Sequence, residues 1–245
     1  MKFETPLIQG VLLRRYKRFL ADVLLKDGRE IRAHTPNTGS MTGCSDPGSE
    51  VWVSLSDNPK RKLAYTLELV RAGDTLVGVH TGRANDLAQE AILTGGGESP
   101  SAQIPVFPEL AGYTRLRREV AYGTGSRVDI LLEKEGRPPC YVEVKNVTLA
   151  ADGAALFPDA VTERGTKHLA ELSCQTGLGH RAVMLFVIQR EDCSRFLPAD
   201  RVDPVYGKAL RRAVAEGVEV MACLARVSPV EMILHQQVEV VLPPL

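Results

Sequence analysis

Long hydrophobic runs are missing from this sequence of 245 residues. The longest uninterrupted apolar run, Ala182–Ile188, has seven residues, whereas a membrane-spanning helix needs about twenty. The opening residues Met1–Pro6 contain no apolar signal region, so nothing in the sequence indicates export. We therefore expect a cytoplasmic protein without a membrane-spanning segment.

Cysteine is scarce as well. The five cysteines stand at positions 44, 140, 174, 193 and 223, and no two of them have CxxC spacing. An odd number without that spacing argues against a disulfide framework and against a zinc ribbon. Reduced thiols in a cytoplasmic protein are the simple interpretation. Cys44 lies in a loop rich in glycine and serine without an obvious base, so we do not expect it to be a nucleophile.

Net charge is also absent, because 30 basic side chains balance 30 acidic ones. A tight, non-specific nucleic-acid binder normally has an excess of basic residues, and this composition has none. The balance is uneven along the chain, since residues 1–80 carry 12 basic and 9 acidic groups and the remainder carries 18 and 21. The composition therefore leaves room for a local basic patch in the first part.

What is present fits a folded protein of one large domain or two modest ones. Residues 1–80 contain about five short strands separated by turns, with a long polar loop at 35–50. That pattern predicts a small closed barrel of the OB type. The composition changes near Thr81, so we place a second domain at 81–245.

The second part mixes helices with strands, which predicts an α/β domain. Its first helix is expected at Asn85–Leu93, with Asn85 as N-cap and the three glycines at 95–97 as the stop before a connecting loop. The apolar run at 182–188 is typical of a strand buried on both faces. The other expected elements are helices at 161–175 and 203–216 and strands at 116–122, 127–132, 140–147, 218–225 and 233–242.

Asp129, Glu143 and Lys145 are the most informative polar residues, since they interrupt two apolar strands that follow each other. Residues i and i+2 of a strand project from one face, so Glu143 and Lys145 share a face. If the two strands pair through the turn at 133–139, Asp129 can lie beside Glu143. Two carboxylates can hold Mg²⁺ and a lysine can orient the attacking water, which suits phosphodiester hydrolysis.

The same pattern has a simpler explanation. An acidic residue two positions before a lysine is common, with about one or two instances expected in a chain of this length. A strand whose solvent face carries a cross-strand ion pair would look the same. From the residues alone, both interpretations stay open.

The sequence also contains five longer motifs, which are Pro36–Met41, Arg127–Leu132, Tyr141–Leu149, Phe157–Thr162 and Arg164–Leu172. Together they resemble the bacterial sugar fermentation stimulation protein A family. They occur in the family's order and the match runs over essentially the whole chain. The resemblance implies an N-terminal OB-like domain, a C-terminal PD-(D/E)xK nuclease-like domain, DNA binding, and a regulatory role in the use of sugars such as maltose.

Carried onto this chain, the nuclease motif makes Asp129 and Glu143 the ligands of Mg²⁺ or Mn²⁺, and Lys145 a catalytic residue. Val128 stands where the motif's name has proline, a position that is often replaced in this superfamily. Many members add a glutamate from the preceding helix, for which Glu90 is the candidate and Glu119 the competitor. A solvated helix face explains Glu90 equally well.

Two stretches are candidates for binding DNA. The first stretch, residues 14–18, combines cations with an aromatic ring, as a barrel that binds single-stranded DNA requires. Strand alternation predicts that Arg14, Tyr16 and Arg18 share one face. In the second, Arg164 and His168 are four apart on a predicted helix and could approach a phosphate. A soluble surface explains either stretch as well. The first stretch consists of Arg14, Arg15, Tyr16, Lys17 and Arg18.

Three functional hypotheses follow. The preferred one is a DNA-binding protein with a metal-dependent nuclease site. The second is a binding module without catalysis that acts on transcription of sugar genes through a regulator partner. The third and weakest is a sugar-binding regulator, because OB-folds also bind oligosaccharides. Whether the DNA is single-stranded or duplex, and whether the protein is a homodimer, stay open.

Overall fold

The computed structural model describes residues 1–94, 105–123 and 125–244. The first part forms strands β1 (Ile8–Tyr16), β2 (Leu20–Leu25), β3 (Glu30–His34), β4 (Glu50–Leu55), β5 (Tyr65–Ala72) and β6 (Thr75–Gly78). They are ordered β3-β2-β1-β4-β5-β6, and β5 also pairs with β3, so five strands close into a barrel. The OB-like barrel expected from the sequence is confirmed.

A period of two in the sequence explains why these segments form a barrel. In β2, Ala21, Val23 and Leu25 are buried, while the residues between them are partly or fully exposed. Side chains of a strand alternate between its two faces, so one face of β2 fills the barrel and the other meets solvent. The buried cluster of the barrel also includes Leu12 and Leu67.

The second part is a mixed α/β domain, as predicted. Its elements are α1 (Gly82–Thr94), β7 (Arg115–Tyr122), β8 (Ser126–Lys134), β9 (Arg137–Val147), β10 (Leu149–Ala151), β11 (Ala154–Phe157), α2 (Glu163–Gly177), β12 (Arg181–Ile188), β13 (Arg195–Pro198), α3 (Pro204–Ala215), β14 (Glu219–Val227), β15 (Met232–Gln237) and β16 (Glu239–Val240). A short 3-10 helix, Pro108–Leu110, precedes β7.

A central sheet in the order β15-β14-β12-β9-β8-β7 forms the middle layer of this domain. β12 runs parallel to both β9 and β14 and is buried along Ala182–Ile188, as its continuous apolar run predicts. The buried residues of α1 pack on one face of the sheet. Those of α2 and α3 pack on the other face, so the sheet lies between two layers of helix.

Several boundaries differ from the sequence predictions. α1 begins at Gly82, so Asn85 lies inside the helix and is not its N-cap. The short strands β10, β11 and β13 were not predicted, and with β16 they form a second, four-stranded sheet. The strand expected at 233–242 is interrupted at Val238, and its two parts belong to different sheets. The predicted stop at 95–97 lies outside the described residues.

The predicted starts of α2 and α3, at residues 161 and 203, lie within two residues of the observed starts. Thr162 caps α2 by accepting a hydrogen bond from the Gly165 amide at 3.0 Å. Asp203 caps α3, whose first residue is Pro204. No helix in the described part of the chain is both long and apolar enough to cross a membrane.

Candidate active site

Asp129 lies where β8 and β9 separate. The antiparallel pairing of the two strands shifts register between Leu132 and Lys134 and ends at the pair Ile130 and Val142. One residue further, Asp129 Oδ2 accepts a hydrogen bond from the Val144 amide at 2.8 Å, so the carboxylate replaces a strand partner. The end of the strand pairing thus directs Asp129 toward β9, as the sequence predicted.

Glu143 and Lys145 project from the same face of β9 and contact each other. The Lys145 Nζ atom lies 2.6 Å from Glu143 Oε1. His168 of α2 contacts the same oxygen through Nδ1. Only 1% of Glu143 is exposed, and its second oxygen, Oε2, is buried without a hydrogen-bond partner. A buried carboxylate oxygen without a donor is costly, so this atom is a suitable ligand for a cation.

Arg164 and His168 are adjacent on α2, as their spacing predicts. Arg164 Nε donates to His168 Nε2 at 3.3 Å. Because a guanidinium can only donate, Nε2 must be the acceptor and Nδ1 carries the proton that faces Glu143. The pair therefore holds Glu143 in place, and Arg164 also lines a cleft.

Burial and neighbouring charges shift the pKa values of Asp129 and Glu143 in opposite directions. Burial, together with the neighbouring Glu143 charge, raises the pKa of Asp129 to about 6. Burial also acts on Glu143, but hydrogen bonds from His168 and Lys145 outweigh it and hold the pKa of Glu143 below its usual range. A cation between the two groups would favour the ionised form of both.

Asn85 is a site residue that the sequence analysis missed. Its Nδ2 atom donates to Asp129 Oδ1 at 3.0 Å. Both oxygens of Asp129 are therefore held, one by α1 and one by the backbone of β9. Asn85 was interpreted as a cap because asparagine commonly starts a helix, and the actual start at Gly82 has no such signal.

The structure does not bring Glu90 or Glu119 to this cluster. The Glu90 carboxylate lies 2.5 Å from the N-terminal ammonium group. Glu90 is five residues beyond Asn85 on α1, which places it on another face of the helix. Glu119 is exposed on β7 and has a positive φ of 52°.

Asp129 and Glu143 are thus the two carboxylates of this cluster that could bind a metal ion. Among residues 1–94, 105–123 and 125–244 there is no group of three or more His, Cys, Asp or Glu side chains arranged to hold one. Mg²⁺ is usually held by one or two carboxylates, with water and phosphate oxygens completing the shell. Asp129 and the free Oε2 atom of Glu143 fit that requirement.

A cleft of about 670 Å³ lies between the barrel and the second domain, next to this site, and Asp129 and Glu143 are not among its lining residues. We call it the central cleft. Lys145, Asn85 and Arg164 line it on the side of the second domain. The barrel contributes the loop at 37–40 together with Arg15 and Arg18. The motifs at 36–41 and 157–162, far apart in sequence, therefore face each other across one opening.

The basic stretch at 14–18 is divided between two roles. Arg14 donates to Asp22 at 2.9 Å and stacks over Tyr16 at 4.8 Å, on the outer surface of the barrel. The predicted alternation ends at Tyr16, because Lys17 and Arg18 have positive φ values of 49° and 62° and form a turn.

Arg15 has a structural role. Its guanidinium donates to the carbonyl groups of Asn37, Gly39 and Ser40 at 2.9, 2.9 and 3.0 Å. Arg15 therefore holds the loop that forms the barrel side of the central cleft, and Arg18 remains on the cleft surface.

Comparison with known proteins gives a consistent result. Residues 13–79 match a family model described as the SfsA N-terminal OB domain, and residues 82–231 match one described as the sugar fermentation stimulation protein RE domain. Proteins named sugar fermentation stimulation protein homolog from Maricaulis maris and Geobacter sulfurreducens are 54% and 55% identical, over 98% of each chain.

A solved structure is also similar. It is that of Pyrococcus furiosus SfsA in complex with Ca²⁺, which is 28% identical to this chain and superposes with a TM-score of 0.84. The similarity covers 98% of this chain and 97% of the other. The two-domain arrangement described above is therefore shared with an experimentally solved protein.

Proposed function

Because the chain belongs to the sugar fermentation stimulation protein family, we propose that it binds DNA in the central cleft and hydrolyses a phosphodiester bond with a divalent cation. The observation that carries the proposal is the buried, unpartnered Oε2 atom of Glu143 beside Asp129 and Lys145. The similar Pyrococcus furiosus protein was solved in complex with Ca²⁺, which takes oxygen ligands as Mg²⁺ does.

Each residue of the site has a distinct role in the proposed hydrolysis. Asp129 and Glu143 would hold Mg²⁺ or Mn²⁺, which lowers the pKa of a bound water and neutralises charge on the phosphate. Lys145 orients the attacking water and stabilises the developing negative charge. His168 keeps Glu143 in position and leaves its Oε2 atom free. Arg164, at the cleft edge, contacts a neighbouring phosphate.

The test uses pure protein with single-stranded, duplex and branched DNA, with Mg²⁺ or Mn²⁺ and in a chelator. Cleavage should require the cation and fall by about 100-fold or more in Asp129→Ala, Glu143→Ala and Lys145→Ala. Glu90→Ala, made in the same way, should cleave like the parent. Cleavage that persists in all three site variants would come from another site or a contaminant and would contradict the proposal.

A non-catalytic DNA-binding regulator is the second candidate. It is favoured by one observation, that Lys145 and His168 already occupy the Oε1 atom of Glu143. On this alternative the protein acts in the cytoplasm on sugar genes, such as those for maltose use, through a transcription-regulator partner. It predicts salt-sensitive DNA binding without turnover in any cation. DNA cleavage that depends on Lys145 would eliminate it.

A further inference from the structure

The side-chain amide of Asn146 is held by a buried glutamine. Asn146 follows Lys145 near the end of β9 and projects from the opposite face of that strand. Its Oδ1 atom accepts a hydrogen bond from Nε2 of Gln189, the residue directly after β12. Gln189 is 0% exposed, so this pair of amides is anchored inside the protein.

A backbone carbonyl fixes the orientation of both amides. Nε2 of Gln189 also donates to the carbonyl of His80 at 3.2 Å. Because a carbonyl can only accept, the nitrogen of Gln189 must face it. The atom of Asn146 that contacts the same nitrogen is therefore its oxygen, and the Nδ2 group of Asn146 points away from Gln189.

Gln189 is itself held at the junction of the barrel and the second domain. Its backbone amide donates to the Val147 carbonyl at 3.0 Å, and its own carbonyl accepts from the Gly78 amide of β6 at 2.9 Å. A Cβ atom on Gly78 would collide with Oε1 of Gln189, so this close approach requires glycine. Packing of the barrel thus sets the orientation of Gln189 and, through it, that of Asn146.

The Nδ2 group of Asn146 is available to a ligand in the central cleft. Asn146 is partly exposed and lines the cleft. Its Nδ2 atom donates to no residue that the structure describes. Since the oxygen faces Gln189, the amide presents hydrogen-bond donors to the cleft, and the matching ligand group is an acceptor.

The surrounding charges favour a phosphate oxygen as that acceptor. Arg18 lines the cleft from the barrel and Arg164 from the second domain, and both are exposed. Neither forms an ion pair with a described residue, and guanidinium groups bind phosphate well. The carboxylate of Asp159, which also lines the cleft, accepts from the Met41 amide at 3.0 Å.

We propose that Nδ2 of Asn146 donates to a non-bridging phosphate oxygen of DNA bound in the central cleft, and that Gln189 is its positioning residue. Such a contact does not depend on base sequence, because every nucleotide carries the same phosphate oxygens. The inference rests on the proposed DNA-binding function and does not require hydrolysis.

The first test measures DNA binding in a chelator by fluorescence anisotropy. Two labelled DNA ligands of unlike sequence are titrated with parent protein and variants. Asn146→Ala should weaken the binding of both by about tenfold, as expected for a lost hydrogen bond to a charged group. Asn58→Ala, in an exposed barrel loop outside the cleft, is the control and should bind like the parent.

Salt dependence distinguishes this neutral contact from a cationic one. An amide displaces no counterion, so Asn146→Ala should leave the slope of log K against log salt concentration unchanged, whereas Arg164→Ala should reduce it by about 0.7–0.9. A loss confined to one sequence would indicate a base contact and overturn the phosphate assignment. Binding of both ligands by Asn146→Ala as tightly as by the parent would overturn the contact itself.

A double-mutant cycle tests the role of Gln189. Gln189→Met removes the donor to Asn146, and the buried side chain cannot touch DNA. It should weaken binding about threefold or more in the parent and have no further effect in Asn146→Ala. An equal loss in both backgrounds would overturn the positioning role. Asn146 is partly exposed, so its own variants test the contact even if Gln189→Met fails to fold.

The behaviour of the parent protein separates this inference from the proposed function. Binding that depends on Asn146, without cleavage in any cation, would retain the contact and refute hydrolysis. Cleavage by the parent together with parent-like binding by Asn146→Ala would retain the proposed function and overturn the contact. A parent protein that binds no DNA would refute both.

Discussion

The carboxylate of Glu143 is contacted by Nδ1 of His168, and the other nitrogen of that ring accepts from Arg164. One oxygen of a buried carboxylate is thereby satisfied by protein donors and the other is left free. The arrangement explains how an ionised side chain on a buried strand can be stabilised and still leave one oxygen for a cation.

Replacing His168 should therefore cost stability. His168→Ala leaves the buried Glu143 with Lys145 as its remaining donor, and a lost partner of a buried charged group costs about 1–3 kcal/mol. Urea unfolding measures this loss. Cys174→Ser, at an exposed position of the same helix, is the control and should change stability by less than about 0.5 kcal/mol. Equal stability of the two variants would mean that His168 does not support Glu143.

The pKa of Asp129 predicts a specific pH dependence. An unfolded aspartic acid has a pKa of about 3.9, and that of folded Asp129 is raised to about 6. Between these pH values the folded protein holds a proton that the unfolded chain has released, so this residue lowers stability as the pH rises. Asp129→Asn, which cannot ionise, should be more stable than the parent above about pH 6, by about 2–3 kcal/mol.

That advantage should disappear below about pH 4, where both states of Asp129 are protonated. Urea unfolding in metal-free buffer across this range measures it. Asp152→Asn, at an exposed turn, is the control and should follow the parent throughout. An advantage that is equally large in acid would assign the gain to packing instead of ionisation.

Divalent cation should stabilise the folded protein through Glu143. At a cation concentration about 100 times the dissociation constant, binding contributes about 2.7 kcal/mol and raises the melting temperature. Glu143→Gln should lose most of this increase when Mn²⁺ is added. Glu90→Gln and Glu119→Gln should retain it, because neither carboxylate reaches Asp129. An increase that vanishes in Glu90→Gln would restore the glutamate of α1 as a ligand.

Arg15 and Arg14 should differ sharply although they are neighbours. Arg15→Ala leaves three loop carbonyls without their donor, with a cost of about 1–3 kcal/mol. Arg14 makes an exposed ion pair with Asp22, and such pairs contribute about 0–1 kcal/mol. Chemical unfolding of the two alanine variants compares them directly. A larger loss in Arg14→Ala would contradict the structural role given to Arg15.

Much of the fold and of the candidate site could be predicted from the sequence, because the signals are local. The apolar run at 182–188 and the amphipathic patterns at 161–175 and 203–216 are local signals, and they predict β12, α2 and α3. Asp129 and Glu143 could be placed near each other because only a short turn joins their strands. These predictions needed no knowledge of long-range packing.

The remainder depends on how distant segments dock. Ser40 and Asp159 are 119 positions apart, and no periodicity in either segment indicates that they touch. Asn85 reaches Asp129 because α1 packs against the central sheet, a contact between residues 44 positions apart. The basic stretch could be found in the sequence, and strand alternation separates Arg14 from Arg15. The turn at Lys17 and the binding of Arg15 to the loop carbonyls could not be predicted.

The most direct measurement is anomalous X-ray diffraction from crystals of the parent protein soaked in Mn²⁺. We predict a single strong peak between the Asp129 carboxylate and Oε2 of Glu143, absent from crystals of Glu143→Gln. No peak at that position at saturating Mn²⁺, with Oε2 of Glu143 still without a partner, would contradict the central claim that these two carboxylates form a divalent-cation site.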